Sequence, residues 1–514
     1  MIAKYVIRKF NNKQALFDVE GESRIQISKY WKKIYDAGLT MGKSDYYVVS
    51  DDNNKKAIFH KDDPDKPVSQ WWDWIKPDSG LLVGYSEYYI VEDNNGQQAI
   101  FHLNNPNKPV SQWWDSIASH NGLLVGESEY YIAKNNERKW AIFHKDNPDK
   151  PVSQWWDSIL VDSGLVRNQS EYYIVEHNNK SAIFHKNNSK EPISTWWKEI
   201  YDTGLVEGSS EYYIVTNDDG RLAIFHKNKP TAPVTGWYSY IWHYGVVGGQ
   251  SEYYIAENND NQKAIFSVKQ PHQPISQWWD KIKTDGLIEG VSNYYIAYNG
   301  TQYAIFHKDN PNEPVSGWWK EFLYDGLTTN RSEYYIAVNE QDQCAIFHVK
   351  DKNAPISYWY SYIKPIGLID GTSTCYIAQV SPNEPMKVYA VDDPLYPLYD
   401  IPKNKDSSIV LYVDAWVVVF YDMQNNQIIL YDLEHQQDDK VVNFDELGIV
   451  HLHQTSLYIS NYIHYSLIPI IFYKMFVVYN IDTDELVKFD TEEEMKKYIA
   501  KHVVKATTNM IRLY

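Results

Sequence analysis

One aromatic phrase recurs along most of this chain, and its period constrains the fold more than any other feature. S-E-Y-Y-I opens a unit at Ser86, and nearly the same unit opens again at Ser128. A fixed period of this kind indicates an array of stacked units. We number the units repeats 1 to 10; repeat 1 begins near Ala3 and the others begin 40 to 42 residues apart at Ser44, Ser86, Ser128, Ser170, Ser210, Ser251, Ser292, Ser332 and Ser373.

Insertions and deletions fall at only two places within the unit. The first Trp of the Trp pair follows the residue after A-I-F by eleven positions from repeat 2 to repeat 9, as in His60 to Trp71. The Gly of Gly-Leu precedes the next Ser by six positions, as in Gly80 to Ser86. Length varies between Y-Y-I and A-I-F, and between the Trp pair and Gly-Leu. Because length variation is tolerated where a chain turns in solvent, both places are predicted to be surface turns.

Each unit is predicted to contain a β-hairpin, with Y-Y-I-V and A-I-F-H as strands and an Asn/Asp/Gly turn between them. A tight loop of the type K-D-N-P-D-K-P follows. The next segment predicts a short helix capped by Ser69, with Trp71, Trp72 and Ile75 on one face and Gly80 at its end. An irregular strand is the alternative for this segment. Gly-Leu-Leu-Val-Gly is predicted to be a short third strand.

One such unit cannot bury its own aromatic face, so it must pack against its neighbours. The expected fold class is therefore mainly β, with tandem hairpin repeats in an elongated or superhelical array. Nine repeats are predicted over residues 1–372, and a degenerate tenth repeat over 373–402 is predicted to cap the stack. A β-propeller is the alternative, because the length of the unit also suits a propeller blade.

The segment 403–514 differs from the repeats and is predicted to form a small α+β domain with its own core. One hairpin is expected to turn at Asn425-Asn426, and a second is expected in M-F-V-V-Y-N-I-D-T-D-E-L-V-K-F. A helix is expected after a capping box formed by Thr491 and Glu494.

Aromatic residues make up 15% of the 514 residues, and only one of the 19 Trp, Trp416, lies outside the repeats. Adjacent residues point in different directions on a helix or a strand, so one Trp of each pair is expected to be less buried than the other. The first Trp of each pair is the candidate binding residue, which gives the column Trp71, Trp113, Trp155, Trp196, Trp237, Trp278, Trp318 and Trp359.

An acidic residue recurs directly before Y-Y-I. In the simplest hairpin register it lies close to the Lys that follows A-I-F-H, so solvated cross-strand ion pairs are expected. The alternative is an acidic strip that binds a basic partner surface. The candidate residues are Glu87, Glu129, Glu171, Glu211, Glu252 and Glu333.

A His follows A-I-F in seven repeats, and stacking could align these side chains as a ladder. No carboxylate or second His accompanies them in every repeat at a fixed metal-ligand spacing, so hydrogen bonding at the strand end is expected, with no metal and no cofactor. His451-x-His453 is a weak signal of the same kind. The ladder residues are His60, His102, His144, His185, His226, His307 and His348.

Charge and composition narrow the functional classes. The net charge of −18 argues against broad binding of a phosphate backbone, so no nucleic-acid partner is expected. Two cysteines exclude a disulfide scaffold. The most apolar stretch, Tyr465 to Ile481, is shorter than the ~20 residues of a membrane span and contains Lys474. The first residues lack the apolar core of a signal peptide, so a cytoplasmic protein without membrane contact is predicted.

The unit resembles the bacterial WG-repeat family of KWG-type β-repeats. K-W-A-I-F-H at Lys139–His144 is similar to the first block of that pattern, with Ala141 at the position of the family's Gly. P-V-S-Q-W-W-D-S-I at Pro151–Ile159 and the Gly-Leu at Ser163–Val166 are similar to the blocks that follow. The resemblance covers about three quarters of the chain. It implies a β-rich array that serves as an interaction scaffold rather than a catalyst.

The sequence contains no paired catalytic carboxylates, Gly-rich phosphate loop or nucleophile elbow. The predicted function is a non-enzymatic repeat scaffold that binds a protein partner, with bacterial defence or toxin neutralisation as a possible setting. One alternative is carbohydrate or cell-wall binding through repeated Trp and Tyr rings. The other is an enzyme with its site in the segment 403–514.

Overall fold

The computed structural model describes residues 4–443 except 20–24, 36–37, 121, 161–163, 203, 406–407, 416, 423 and 426, and beyond them 457–459, 467–472, 475–480, 485–489, 491, 493–495 and 497–498. In this part the chain is mainly β and forms small antiparallel sheets in tandem, as predicted. The chain forms two compact units, and the boundary between them lies inside repeat 7. One unit contains Met1–Asp260 and Phe266–Gln273, and the other contains Asn261–Ile265 and Pro274–Tyr514. The choice between an elongated or superhelical array and a propeller stays a prediction.

The predicted hairpin is confirmed along the repeats. In repeat 4, Tyr131 pairs with Phe143 and Ile132 pairs with Ile142 across two antiparallel strands. The first strands are Tyr5–Phe10, Tyr46–Ser50, Tyr88–Glu92, Tyr130–Lys134, Tyr172–His177, Tyr212–Thr216, Tyr253–Glu257, Tyr294–Tyr298, Tyr334–Val338 and Cys375–Gln379. The second strands are Lys13–Asp18, Lys56–His60, Gln98–His102, Trp140–His144, Lys180–His185, Leu222–His226, Lys263–Ser267, Tyr303–His307, Cys344–His348 and Lys387–Ala390.

A short third strand follows each Trp pair and belongs to the sheet of the next repeat. Ser116 and Ile117 of repeat 3 pair with Lys134 and Ala133, which lie on the first strand of repeat 4. Consecutive repeats are therefore linked by backbone hydrogen bonds as well as by packing. The third strands are Lys33–Tyr35, Trp74–Ile75, Ser116–Ile117, Ser158–Ile159, Glu199–Asp202, Tyr240–Ile241, Lys281–Ile282, Glu321–Asp325 and Tyr362–Ile363.

The segment between the loop and the third strand is extended, so the predicted helix capped by Ser69 is wrong. The Val68 amide donates to the Ile58 carbonyl at 2.8 Å, and the Ile58 amide donates to Ser69 Oγ at 2.9 Å. Trp72 and Lys56 exchange two backbone hydrogen bonds of 2.8 and 2.7 Å. Ser69 thus supplies an acceptor to the second strand, and the irregular strand is the correct alternative.

Gly-Leu-Leu-Val, which the sequence predicts to be a strand, forms a helical turn. It is a 3-10 helix at Gly80–Val83 and at Gly122–Val125, and the equivalent Gly204–Glu207 is one turn of α-helix. Gly80 has a φ of +45°, and a Cβ there would lie 1.9 Å from the Tyr88 carbonyl oxygen. Only Gly permits both this backbone conformation and this approach to the next first strand.

In six repeats, the Ser that opens the repeat connects its own hairpin to the Gly-Leu turn that leads into the next repeat. Ser128 Oγ accepts from the Tyr130 amide at 3.2 Å and donates to the Val166 carbonyl at 2.7 Å. Val166 lies in the turn that leads into repeat 5, so the hydrogen bond aligns the start of the repeat 4 hairpin with the start of the repeat 5 hairpin. This contact gives a physical reason for the constant Gly-to-Ser spacing. The same bond to the turn carbonyl is made by Ser44, Ser86, Ser170, Ser210 and Ser332.

The hairpin of repeat 3 buries both of its faces, because it packs between the hairpins of repeats 2 and 4. On one face of repeat 3, Tyr89 and Phe101 pack with Val48 and Ile58 of repeat 2. On the other face, Ile90 and Ile100 pack with residues of repeat 4 that include Tyr131. Burial on both faces explains why Y-Y-I-V and A-I-F are continuous apolar runs rather than alternating ones.

Repeat 10 does not end the stack of sheets. Cys375, Ile377 and Val388 of repeat 10 share one hydrophobic core with Val413 and Phe420 of the following segment. The first described part of the segment 403–514 therefore shares its core with repeat 10 instead of having a separate one. The predicted cap at 373–402 is covered by a further sheet. That sheet contains Ile409–Val413, Val417–Asp422, Gln427–Asp432 and Gln437–Asn443.

Both hairpins predicted beyond residue 402 are confirmed. Val417–Asp422 pairs with Gln427–Asp432, and Met475–Asn480 pairs with Glu485–Phe489. Thr491 Oγ1 accepts from the Glu494 amide at 3.3 Å, as a helix N-cap would, and residues 493–495 and 497–498 are helical. The remaining elements are the strands Ile25–Gln26, Asp63–Pro67, Asp393–Asp400, Leu457–Ile459 and Leu467–Phe472, and the 3-10 turn Lys403–Lys405. Within the described residues, no helix has the length and apolarity of a membrane span.

Inserting two Gly residues after Asn95 is expected to change the melting temperature little. Asn95 lies in an exposed hairpin turn in which Gly96 has a φ of +76°. The same insertion after Val110 should unfold at least one repeat. It would separate two hydrogen bonds, from the Val110 amide to the Ile100 carbonyl at 2.7 Å and from the Ile100 amide to Ser111 Oγ at 2.9 Å. Thermal melts of the two variants check this expectation. Equal damage from both insertions would contradict the assignment of the turn.

Candidate binding surfaces

The Trp pairs build aromatic contacts across junctions between repeats. Three rings meet at such a junction: the second Trp of one repeat, and the Phe and the first Trp of the following repeat. Each of the three rings contacts the other two. Trp114 lies 4.8 Å from Phe143 and 5.5 Å from Trp155, measured between ring centroids, and Phe143 lies 5.8 Å from Trp155. Trp279, Phe306 and Trp318 repeat this arrangement in the second compact unit.

The two Trp of a pair differ in their environment. The indole nitrogens of the second Trp are buried, and Trp156 as a whole is only 7% exposed. The eight candidate residues, which are the first Trp of each pair, are half-buried, except for Trp71, which is 38% exposed. Part of each candidate ring therefore reaches the surface, while its packing on Phe and Trp rings fixes its orientation.

The recurring carboxylates contact Lys or His side chains of their own repeat, and the contacts with Lys145, Lys186 and Lys227 are those that the simplest register predicts. Glu129 accepts from His144 Nε2 at 3.1 Å and pairs with Lys145 Nζ at 3.2 Å. Glu171 makes the same contacts with His185 and Lys186, both at 2.9 Å. The equivalent partners are His102 for Glu87, His226 and Lys227 for Glu211, Lys269 for Glu252, and His348 and Lys350 for Glu333.

Three of these pairs lower the pKa of the carboxylate. The hydrogen bond from Lys186 and then that from His185 lower the pKa of Glu171. The hydrogen bond from Lys227 lowers the pKa of Glu211, and that from Lys269 lowers the pKa of Glu252. The acidic column therefore carries compensated charge, which weakens its use as a strip for a basic partner.

In five residues of the His ladder, namely His102, His144, His185, His226 and His348, both ring nitrogens have partners. In repeat 4 the Asp146 amide donates to His144 Nδ1 at 3.3 Å, so Nε2 carries the proton that it shares with Glu129. The Tyr130 ring packs against the edge of the imidazole at 5.0 Å. Among the described residues, Glu129, His144 and Asp146 form one group whose potential metal-ligand atoms lie within 4.8 Å. Since both ring nitrogens already have partners, the geometry favours strand-end hydrogen bonding over metal ligation.

Replacing Glu171 and Glu211 by Gln is expected to flatten the loss of stability at acidic pH. A carboxylate whose folded pKa is lowered stabilises the fold above its unfolded pKa of 4.5, and this contribution disappears as the pH falls through the folded value. The effect should be small, because the pairs are exposed to solvent. Melting temperatures between pH 6 and pH 3 measure it, with Glu137→Gln at an exposed hairpin turn as the control. A profile as steep as that of the parent would contradict the expectation.

Sequence reasoning missed one surface, which lies along the third strands. Leu160 and Tyr201 are 47% and 48% exposed, and they occupy the same repeat position in repeats 4 and 5 as Trp242 does in repeat 6. This position directly follows the buried Ile of the third strand. Comparing it from repeat to repeat would have found the surface, but the predicted helix assigned these residues to a different element.

No protein-family model matches the chain, and no curated protein matches it. Solved structures with some similarity include a crystal structure of the eukaryotic initiation factor, with a TM-score of 0.30 and 8% identity over 73% of this chain and 97% of that chain. Another is KlHsv2 with loop 6CD replaced by a Gly-Ser linker, with a TM-score of 0.22 and 12% identity over 62% of this chain and 96% of that chain. Scores this low carry no inference about fold or function.

Proposed function

We propose that this chain is a non-enzymatic, cytoplasmic repeat scaffold that binds a protein partner through the column of first Trp residues. The observation that carries the proposal is that candidate Trp residues such as Trp113, Trp155 and Trp196 are half-buried and packed against the Phe of their own repeat and the second Trp of the preceding one. Trp113 illustrates this, with centroid distances of 6.2 Å to Phe101 and 5.8 Å to Trp72. A ring that is already fixed loses little conformational entropy when a partner covers it.

The chemistry of the remaining repeated groups supports the same proposal. Ser, His, Glu and Lys at the repeated positions are used in contacts within a hairpin or between neighbouring repeats. The first Trp of each pair stays partly exposed, and Trp is enriched among residues that dominate the energy of protein interfaces. A partner that touches several repeats gains affinity through multivalency without a new kind of contact.

The test begins with affinity purification of partners from the native cell, followed by affinity measurements with one purified partner. The variant replaces Trp113, Trp155 and Trp196 by Ala, and it should weaken binding at least tenfold. The control replaces the same three residues by Tyr, because Tyr30 occupies this position in repeat 1. The Tyr variant should retain most of the affinity, and melting curves show whether both variants are folded. Unchanged affinity of a folded Ala variant would refute the proposal.

A further inference from the structure

In the first compact unit, outward side chains of consecutive third strands come into contact. Each third strand places one side chain before and one after its buried apolar residue. The side chain that follows the buried residue of one repeat contacts the side chain that precedes the buried residue of the following repeat. The rings of Tyr201 and Tyr240 make such a contact, with 6.2 Å between their centroids. Tyr35 and Trp74 meet in the same way at 5.6 Å in repeats 1 and 2.

Three consecutive repeats make these positions apolar and aromatic. We call Leu160, Glu199, Tyr201, Tyr240 and Trp242 the third-strand stripe. The rings of Tyr240 and Trp242 are 4.7 Å apart in an edge-to-face contact. In the sequence this pattern is confined to repeats 4 to 6, because the positions that correspond to Leu160 and Trp242 are Ala118 in repeat 3 and Lys283 in repeat 7.

A cavity of about 410 Å³ lies at the start of the stripe, between repeats 4 and 5. Leu160, Trp140 and Ile174 give it apolar walls, and Glu176 and Glu199 add two carboxylates. Both carboxylates belong to exposed residues. The cavity therefore offers space for an apolar side chain next to groups that attract a cation.

This side of the sheets already accommodates lysine on aromatic rings within the chain. Lys33 Nζ lies 4.2 Å from the centroid of the Tyr35 ring, and Lys134 Nζ lies 5.5 Å from that of Trp140. In repeats 7 and 8, Lys281 lies over the ring of Tyr298 at 5.4 Å. Cation–π contact thus recurs in the chain, and a partner's Lys or Arg could make it on the exposed ring of Tyr201 and on the half-buried ring of Trp242.

We propose that the third-strand stripe binds an extended, basic peptide segment of a partner protein, with an apolar side chain in the cavity beside Leu160 and Lys or Arg side chains over the rings of Tyr201 and Trp242. The carboxylates of Glu176 and Glu199 complement the positive charge. This inference rests on the proposed scaffold function, but it assigns the contact to a different surface from the Trp column.

The stacking of the sheets also sets the spacing of the ligand. Packed sheets lie about 10 Å apart. A polyproline II segment rises about 9 Å in one turn of three residues, so every third side chain meets the same position of the next repeat. Aromatic surfaces are known to dock such segments, because the extended conformation is preformed. The preferred ligand therefore carries an apolar residue at every third position with Lys or Arg between.

The experiment measures fluorescence anisotropy of a labelled peptide of four Leu-Lys-Pro triplets titrated with the full chain. A scrambled peptide of the same composition, and a peptide with Glu in place of Lys, should bind at least tenfold more weakly. The double variant Tyr201→Ser with Trp242→Ser should weaken binding of the first peptide at least tenfold, and Glu199→Gln should weaken it by a smaller factor that shrinks at high salt.

The matched control is Leu323→Ser in repeat 8. Leu323 occupies the position of Leu160, is 40% exposed, and lies between repeats with Lys283 and Lys364 at this position. It should bind the peptide like the parent. The proposal is overturned if the parent does not bind, if the double variant binds equally well, or if Leu323→Ser loses as much affinity. It is also overturned if the parent binds a soluble hexasaccharide through Tyr201 and Trp242 and does not bind the peptide. Substitutions in the Trp column should leave peptide binding unchanged, which separates this test from that of the proposed function.

Discussion

Replacing Trp156 by Ala is expected to lower the free energy of unfolding by about 3–5 kcal/mol, the usual cost of removing a large buried aromatic side chain. Trp156 is 7% exposed, and its ring lies 5.0 Å from Phe184 and 5.7 Å from Trp196 of the next repeat. Removing the ring would open a cavity between repeats 4 and 5. Because stability in an array is a sum over repeats and junctions, the loss should be concentrated at this junction.

The chain itself provides the matched control. Repeats 6 and 9 carry Tyr238 and Tyr360 where the other repeats have the second Trp, and Tyr360 is 1% exposed. Trp156→Tyr should therefore cost clearly less than Trp156→Ala. Urea unfolding measures the free energies, and hydrogen exchange at the amides of Ile174 and Ile183 locates the loss. A loss for Ala no larger than that for Tyr would show that the Trp ring does not hold the junction.

The hairpins were predictable because their signals are local. Y-Y-I-V and A-I-F are β-favouring apolar runs, and residues such as Asn54 and Gly96 adopt positive φ angles in the turns between them. The register followed from the same pattern, so the pairing of Lys145 with Glu129 and of Lys186 with Glu171 could be anticipated. No knowledge of the neighbouring repeats was needed for these features.

The third strand was not predictable by the same reasoning, because its partner lies in another repeat. Trp74–Ile75 is too short to show a period, and its hydrogen bonds go to Glu92 and Val91 of the next hairpin. Ser69 was interpreted as a helix cap because Ser is frequent there, whereas its Oγ accepts from a strand amide. The turn at Gly80–Val83 was assigned to a strand because a short apolar run does not distinguish the two structures.

The candidate surfaces show the same limit. The sequence indicated that one Trp of each pair would be less buried, and the contacts of Trp155 with Trp114 and Phe143 show how that ring is held. The third-strand stripe escaped notice because Tyr201 and Trp242 are unremarkable within their own repeats. They become a surface only when third strands of consecutive repeats lie side by side.

Deleting one whole repeat, Ser128–Gln169, is expected to leave a soluble, folded protein with an unchanged CD signal per residue. Ser170 would then follow Glu127, and the spacing from Gly122 to the next Ser would stay at six residues. The third strand Ser116–Ile117 would pair with Tyr172–His177 instead of its present partner. The new junction should pack well, because its buried side chains are of the same type as those they replace.

Deleting only the hairpin of the same repeat, Ser128–Lys145, should have a far larger effect. The third strand Ser116–Ile117 would lose Ala133 and Lys134, to which it is paired, and the faces of repeats 3 and 5 would no longer be covered by Tyr131 and Ile132. We expect this variant to aggregate or to lose the cooperative unfolding of the neighbouring repeats, although it lacks fewer residues than the whole-repeat deletion. Size-exclusion chromatography and CD melts of the two variants measure the difference. If the whole-repeat deletion aggregates while the parent stays soluble, the repeats do not behave as exchangeable units, and closure into a ring of fixed repeat number becomes the better description.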